Sequence, residues 1–205
     1  MSVTAIIDYG VGNLFSLASS LEAVGCRAVV TRDRQAIADA ERIILPGVGA
    51  FADAAARLRS CGMDEAVCRE AERGKPLLGI CLGMQLLLDR SLEYGEHAGL
   101  GLIPGTVRPI ADTIPAGLKI PHIGWNSLDI SRPGCPLLRD TAPGEFVYFV
   151  HSYWADAPEE YIAARTDYGA PLTAVVWRDN VCGAQFHPEK SGRAGLAMLR
   201  AFCAI

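Results

Sequence analysis

The segment Gly79-Ile80-Cys81-Leu82-Gly83 lies between the apolar run Pro76-Leu77-Leu78 and the helical run Met84-Gln85-Leu86-Leu87-Leu88. It constrains this chain more than any other stretch. A strand that becomes a helix within so few residues must reverse sharply, and glycine on either side lets both flanks lie close to the turn. The residue between them projects from the tip, above the start of the helix. Here that residue is a cysteine, and the positive end of a helix dipole favours thiolate over thiol. The pattern predicts a strand-turn-helix unit carrying a nucleophile, with a buried cysteine at a strand end as the alternative.

The order of elements extends that unit into a fold class. Residues 3–7, 27–31 and 42–45 read as strands, 14–24 as an amphipathic helix with Asn13 placed to cap it, and 52–73 as a helical stretch. Short turns between alternating strands and helices predict an α/β protein with a mainly parallel central sheet flanked by helices. The second half changes character. Residues 146–153, 161–166, 173–177 and 181–186 are strand-like, Asp179-Asn180 suits a hairpin turn, and 193–202 read as a closing helix. This predicts an additional antiparallel strand region in the C-terminal half. There is no repeat, low-complexity segment or flexible linker, and residues 1–205 read as a single domain.

Composition excludes several function classes. At 205 residues and 50% hydrophobic, the chain carries enough apolar material for a substantial core. A net charge of -4 gives no electrostatic reason to expect nucleic acid or an anionic membrane as partner. Asp8 interrupts the first apolar run, so the N-terminus reads as a first strand and not as a signal peptide, and no stretch has the length of a membrane span. The 7 cysteines are scattered without a Cys-x-x-Cys pair. That usage predicts reduced thiols in a cytoplasm, with no disulfide framework and no zinc site.

Two further segments complete a chemistry for Cys81. In Gln185-Phe186-His187-Pro188-Glu189-Lys190-Ser191, an extended strand end would put His187 and Glu189 on one side. The carboxylate can then take the Nδ1 proton of the imidazole and leave Nε2 facing a sulfur, which is the logic of a nucleophile, base and orienting acid. A surface polar pair is the plainer alternative. The other segment is the short apolar strand Arg42-Ile43-Ile44-Leu45 followed by Pro46-Gly47-Val48-Gly49-Ala50-Phe51. Such a loop can aim backbone N–H groups at a tetrahedral oxyanion, with the N–H of Leu82 as second donor. No Gly-Lys-Ser/Thr and no Gly-x-Gly-x-x-Gly accompanies it, which argues against a Walker loop or a dinucleotide fingerprint. All three segments follow strands, so a parallel sheet would bring them to one edge.

These three segments resemble the class I triad glutamine amidotransferases, with their flavodoxin-like fold. Asp8-Tyr9-Gly10-Val11-Gly12-Asn13, Pro121-His122-Ile123-Gly124-Trp125-Asn126 and Tyr148-Phe149-Val150-His151-Ser152-Tyr153 narrow the match. With them the chain is similar to the glutaminase subunits of imidazole glycerol phosphate synthase, an enzyme of histidine biosynthesis. The resemblance runs from about residue 4 to the C-terminus.

The resemblance implies that Cys81, His187 and Glu189 hydrolyse L-glutamine to L-glutamate and ammonia through a thioester, without a metal or organic cofactor. It implies Gly49 and Leu82 as the oxyanion hole and Gly47, Gln85, His151, Ser152 and Tyr153 as substrate-binding residues. Asn13, His122, Trp125, Asn126, Tyr148 and Lys190 are implied at or near a partner interface. The implied partner is a cyclase subunit with a (β/α)8 barrel, forming a heterodimer. It uses the ammonia to make imidazole glycerol phosphate and an aminoimidazole carboxamide ribotide. Three other readings stand beside this one: the glutaminase subunit of pyridoxal phosphate synthase, a cysteine hydrolase of similar fold, and a catalytically silent interaction subunit, against which intact Cys81, His187 and Glu189 speak.

Overall fold

Alternate residues of the buried strands face opposite layers. In a computed structural model, which describes residues 3–205, Ala5 and Ile7 pack into one apolar cluster and Ile6 into another. Ile43 and Leu45 likewise oppose Ile44, and Leu77 opposes Leu78 and Ile80. The strands concerned, β1 (Val3–Ile7), β3 (Arg42–Leu45) and β4 (Leu77–Ile80), are therefore buried on both faces. This is why they read as nearly continuous apolar runs, interrupted only by Thr4 in β1 and Arg42 at the start of β3.

The main sheet has eight strands in the order β2-β1-β3-β4-β14-β13-β12-β9. Here β2 is Arg27–Thr31, β9 Asp129–Ile130, β12 Ile162–Asp167, β13 Pro171–Arg178 and β14 Val181–Ala184. The strands from β2 to β14 run parallel, and the β14, β13, β12 and β9 pairings are antiparallel. Helices α1 (Leu14–Ala23) and α6 (Gly192–Cys203) bury residues into one layer. On the other face pack α2 (Arg34–Asp39), α3 (Phe51–Ser60), α4 (Met63–Glu72) and α5 (Leu82–Leu86). The expected mainly parallel sheet with added antiparallel strands is present.

Several expected boundaries shift for local reasons. The stretch 52–73 divides into α3 and α4 because Gly62 takes a left-handed φ of 66° between them. The segment 146–153 is two strands, β10 (Phe146–His151) and β11 (Tyr153–Asp156), which break at Ser152 and join different sheets. β10 pairs with β8 (His122–Ser127), whereas β11 joins β7 (Ile103–Pro109), β5 (Leu88–Ser91) and β6 (His97–Ala98). The expected hairpin at Asp179-Asn180 forms, with Arg178 opposite Val181 and Asp179 at a φ of 51°. Asn13 holds the N-cap position of α1, but its side chain makes no capping bond because its backbone (φ -89°, ψ 66°) departs from the extended geometry a cap requires.

Candidate active site

Strands β3, β4 and β14 are neighbours, and the chain beyond their C-terminal ends builds the site. Cys81 follows β4 directly with φ 55° and ψ -113°, a conformation that costs a non-glycine residue about 1–3 kcal/mol. Its N–H donates to Ala184 O at 2.8 Å, which ties the turn to the end of β14. The flanking glycines are required by close approach. A Cβ on Gly79 would lie 2.7 Å from Gly83 O, and one on Gly83 would lie 1.9 Å from Leu45 O. Gly47 meets the same limit, since its Cβ would come within 2.7 Å of Gly83 N. The glycine-rich loop after β3 therefore packs directly on the cysteine turn. Helix α5 has only 5 residues, so its dipole is short and charged neighbours weigh more on the sulfur.

The His187 imidazole is such a neighbour. His187 and Glu189 do meet, but not on an extended strand as the sequence suggested. β14 ends at Ala184, His187 is extended, and Pro188–Lys190 form a 3-10 turn that swings Glu189 back. His187 Nδ1–H then donates to Glu189 Oε1 at 2.8 Å, with 4% and 3% of the two side chains exposed. That bond fixes the tautomer and leaves Nε2 toward Cys81. Burial works against charging His187, but hydrogen bonds to the Cys81 and Glu189 side chains outweigh it and raise its pKa to about 9.

An open cleft of about 570 Å³ lies over this pair, within the range usual for small-molecule sites. Gly49, Cys81, Leu82, Gln85, His151, Ser152, Tyr153, His187 and Lys190 all line it. Gly47 lies behind, beside His187 and Glu189 in a narrow crevice that Asn13 also borders. The amide of Gln85 is engaged by the protein. Its Nε2 donates to Tyr153 O at 3.0 Å and to Gln185 Oε1 at 3.1 Å, while Gln185 Nε2 reaches Cys81 Sγ at 3.8 Å.

Gln185 and Glu93 carry no role in the sequence reading. Gln185 is fully buried against the sulfur; its place two residues before His187 was the available signal. Glu93 is a buried carboxylate on the cleft wall, its Oε2 accepting the N–H of Phe51 at 2.5 Å. Nothing local in the sequence marks it, because burial of that acid arises only when α3 and the segment after β5 meet.

The residues expected at a partner face divide. Trp125 and Lys190 are exposed, Asn13, Asn126 and Tyr148 partly buried. Trp125 and Tyr148 are register partners on β8 and β10, their rings 6.0 Å apart, and Lys190 Nζ lies 6.0 Å from the Tyr148 ring. Exposed Ile123 and Phe146 extend the apolar surface of that ribbon. His122 is instead inside the protein, 2% exposed, stacked on Tyr168 and Phe149. Its Nδ1 lies 3.0 Å from His151 Nε2, and His151 Nδ1–H donates to Tyr153 O at 2.9 Å. His151 Nε2 is thus an acceptor and His122 Nδ1–H the donor. Burial lowers the pKa of His122 to about 4 and of His151 to about 3.

Among the described residues no three His, Cys, Asp or Glu side chains group as a metal-ligand set, and no helix is long and apolar enough to cross a membrane.

This arrangement of a cysteine turn, a His-Glu pair and a glycine-rich loop at the end of a mainly parallel sheet has counterparts in known proteins. Solved structures share the fold: one of PurLQS from Thermotoga maritima at a TM-score of 0.77 and 22% identity covers 98% of this chain and 97% of that one. A crystal structure of glutamine amidotransferase matches at 0.75 and 18%, covering 98% and 99%. The family model for glutamine amidotransferase class-I matches residues 5–205, and the chain belongs to that class. Two relatives share 50% identity with it, from Syntrophotalea carbinolica (96% of this chain, 97% of the relative) and Rhodospirillum rubrum (97% and 96%). Both are imidazole glycerol phosphate synthase subunit HisH. The chain belongs to the HisH family, and these relatives favour neither the pyridoxal phosphate synthase glutaminase nor another cysteine hydrolase.

Proposed function

We propose that the cleft binds L-glutamine and that Cys81, His187 and Glu189 hydrolyse its side-chain amide. The observation that carries this is the convergence of Cys81, on its strained turn, with the buried His187–Glu189 pair beneath one cleft. The Cys81 sulfur attacks the amide carbonyl carbon. A C–S bond forms, and the carbonyl electron pair moves to oxygen, where the N–H groups of Gly49 and Leu82 stabilise it. His187 passes the proton taken from the thiol to the amide nitrogen, the C–N bond breaks, and ammonia leaves. Water then attacks the thioester, His187 takes a proton from it and returns one to sulfur, and glutamate departs. Glu189 holds the imidazole in its working tautomer throughout.

Glutamine offers an α-ammonium and an α-carboxylate beyond the reacting amide. The buried carboxylate of Glu93, on the cleft wall, suits the ammonium. Gln85 orders the wall through Tyr153 and Gln185, with Ser152, Tyr153 and His151 lining it and Gly47 letting the loop approach.

The ammonia goes to a cyclase subunit, a (β/α)8 barrel paired with this chain as a heterodimer in the cytoplasm, which forms imidazole glycerol phosphate and an aminoimidazole carboxamide ribotide. Support comes from the HisH relatives and from the apolar ribbon of Ile123, Trp125 and Phe146 beside Tyr148 and Lys190. On this reading residues 1–205 form one amidotransferase domain. The test is glutamate release by the purified chain, alone and then with a cyclase subunit and its nucleotide ligand. Turnover that rises with the partner supports the reading, whereas no glutamate under any condition overturns it.

A further inference from the structure

Ser191 stands at the N-cap position of α6, where serine ordinarily bonds a backbone N–H of the first helical turn. Its side chain makes no such bond. The hydroxyl donates instead to His187 O at 2.6 Å and accepts from Tyr148 N–H at 3.0 Å. His187 N–H in turn donates to Tyr148 O at 3.0 Å. Both polar groups of the His187 backbone are therefore engaged through one residue of β10, directly on the N–H side and by way of Ser191 on the C=O side. The residue is 1% exposed, so water does not compete for these bonds. Tight packing holds the hydroxyl in place: a Cβ on Gly195 would lie 2.9 Å from Ser191 Cβ and 1.9 Å from Pro188 O.

We infer that Ser191 is a positioning residue for His187, closing a ring of hydrogen bonds with Tyr148 that sets the reach of the imidazole toward Cys81. The inference rests on the reading of His187 as the base. It gives Ser191 a purpose that helix capping does not, since the cap is forgone. It also fixes His187 to the ribbon that carries Trp125 on its outer face, because Trp125 and Tyr148 are register partners. Loss of the hydroxyl leaves Tyr148 N–H without its acceptor and His187 O with the Lys190 N–H at 3.0 Å, a bond within the same turn, so the link from that carbonyl to β10 is lost and the imidazole is less firmly held relative to the sulfur. A misplacement of about 1 Å is enough to cost about 100-fold in rate.

The experiment compares wild type, Ser191→Ala, Ser191→Cys, Leu199→Ala and His187→Asn. Leu199 is buried on α6 about 12 Å along the helix from Ser191, so it supplies a loss of packing away from the ring. Iodoacetamide alkylation of the Cys81 peptide is followed by mass spectrometry against pH, and glutamate release is measured with the cyclase subunit and its nucleotide. Ser191→Ala is expected to move the alkylation profile to higher pH and to lower kcat about tenfold or more, with KM for glutamine within about twofold. Ser191→Cys, a weaker donor, should give a smaller shift in the same direction, and it carries the test if the alanine variant does not fold. Leu199→Ala should lower thermal stability with a wild-type profile. A wild-type profile and kcat in the Ser191 variants overturns the inference, as does an equal shift in Leu199→Ala. If His187→Asn itself leaves the profile unchanged, the base reading fails as well; if His187→Asn shifts it and the Ser191 variants do not, only the role of Ser191 fails.

Discussion

Glu189 Oε1 lies 2.8 Å from His187 Nδ1, and the pair is almost wholly withdrawn from water. The other carboxylate oxygen, Oε2, has no hydrogen-bond partner among the described residues. The bond is therefore single-pronged, and it orients the ring without enclosing the carboxylate.

That geometry separates the two residues in a mutational test. Gln at 189 keeps an oxygen able to accept the Nδ1–H, so Glu189→Gln is expected to lower kcat by roughly 10²- to 10⁴-fold, whereas His187→Asn removes the proton carrier and should cost about 10⁵-fold or more. Glutamate release with the cyclase subunit present measures both. A larger loss in Glu189→Gln would contradict the assigned roles.

The charge state of His187 gives a second prediction. Its pKa, held down by burial but raised on balance to about 9 by Cys81 and Glu189, exceeds the ordinary value of 6.5. A group raised on folding contributes stability that is fully present below pH 6.5 and is lost as pH rises through about 9. Wild type should thus lose stability relative to Cys81→Ala between neutral pH and pH 9 in urea denaturation. An NMR titration of His187 should show a lower pKa in Cys81→Ala; an unchanged one would separate the histidine from the sulfur.

His122 and His151 predict the opposite trend in acid. Burial holds both neutral, with pKa values of about 4 and about 3, whereas the unfolded chain protonates them near 6.5. Stability is full above pH 6.5 and falls as pH drops toward 4, by up to about 1.4 kcal/mol per pH unit for each histidine. Replacing His122 with Phe should flatten that slope. A slope equal to wild type would show that the pair does not carry the acid sensitivity.

Close approach at the cysteine turn is testable through stability. Gly83→Ala forces a Cβ to 1.9 Å from Leu45 O, a backbone atom, and is expected to destabilise by about 3 kcal/mol or prevent folding. Gly134→Ala meets nothing within 4 Å and should be neutral or slightly stabilising. Thermal melts of the two variants decide this, and equal melting temperatures would contradict it.

The parts of this fold legible in sequence are those whose cause is local. β3 and β4 are buried on both faces, so their apolar runs stand out, and the glycines at 79 and 83 announce a close-packed turn. The region from β5 to β9 is not legible in this way. Its strands carry exposed residues, and β7, β8 and β9 pair with β11, β10 and β12, which come later in the chain. Ser152 hides a change of sheet inside one apolar run. Burial of His122 depends on Phe149 and Tyr168, and burial of Glu93 on the start of α3, so no local pattern distinguishes either.

On the proposed mechanism the Cys81 sulfur is the nucleophile of glutamine hydrolysis. The most direct measurement is glutamate release by Cys81→Ser, with the cyclase subunit and its nucleotide bound, beside a check that the variant melts cooperatively and still binds the partner. Folding and binding should stay intact, with turnover reduced by about 10⁴-fold or more. Turnover within about tenfold of wild type would contradict it.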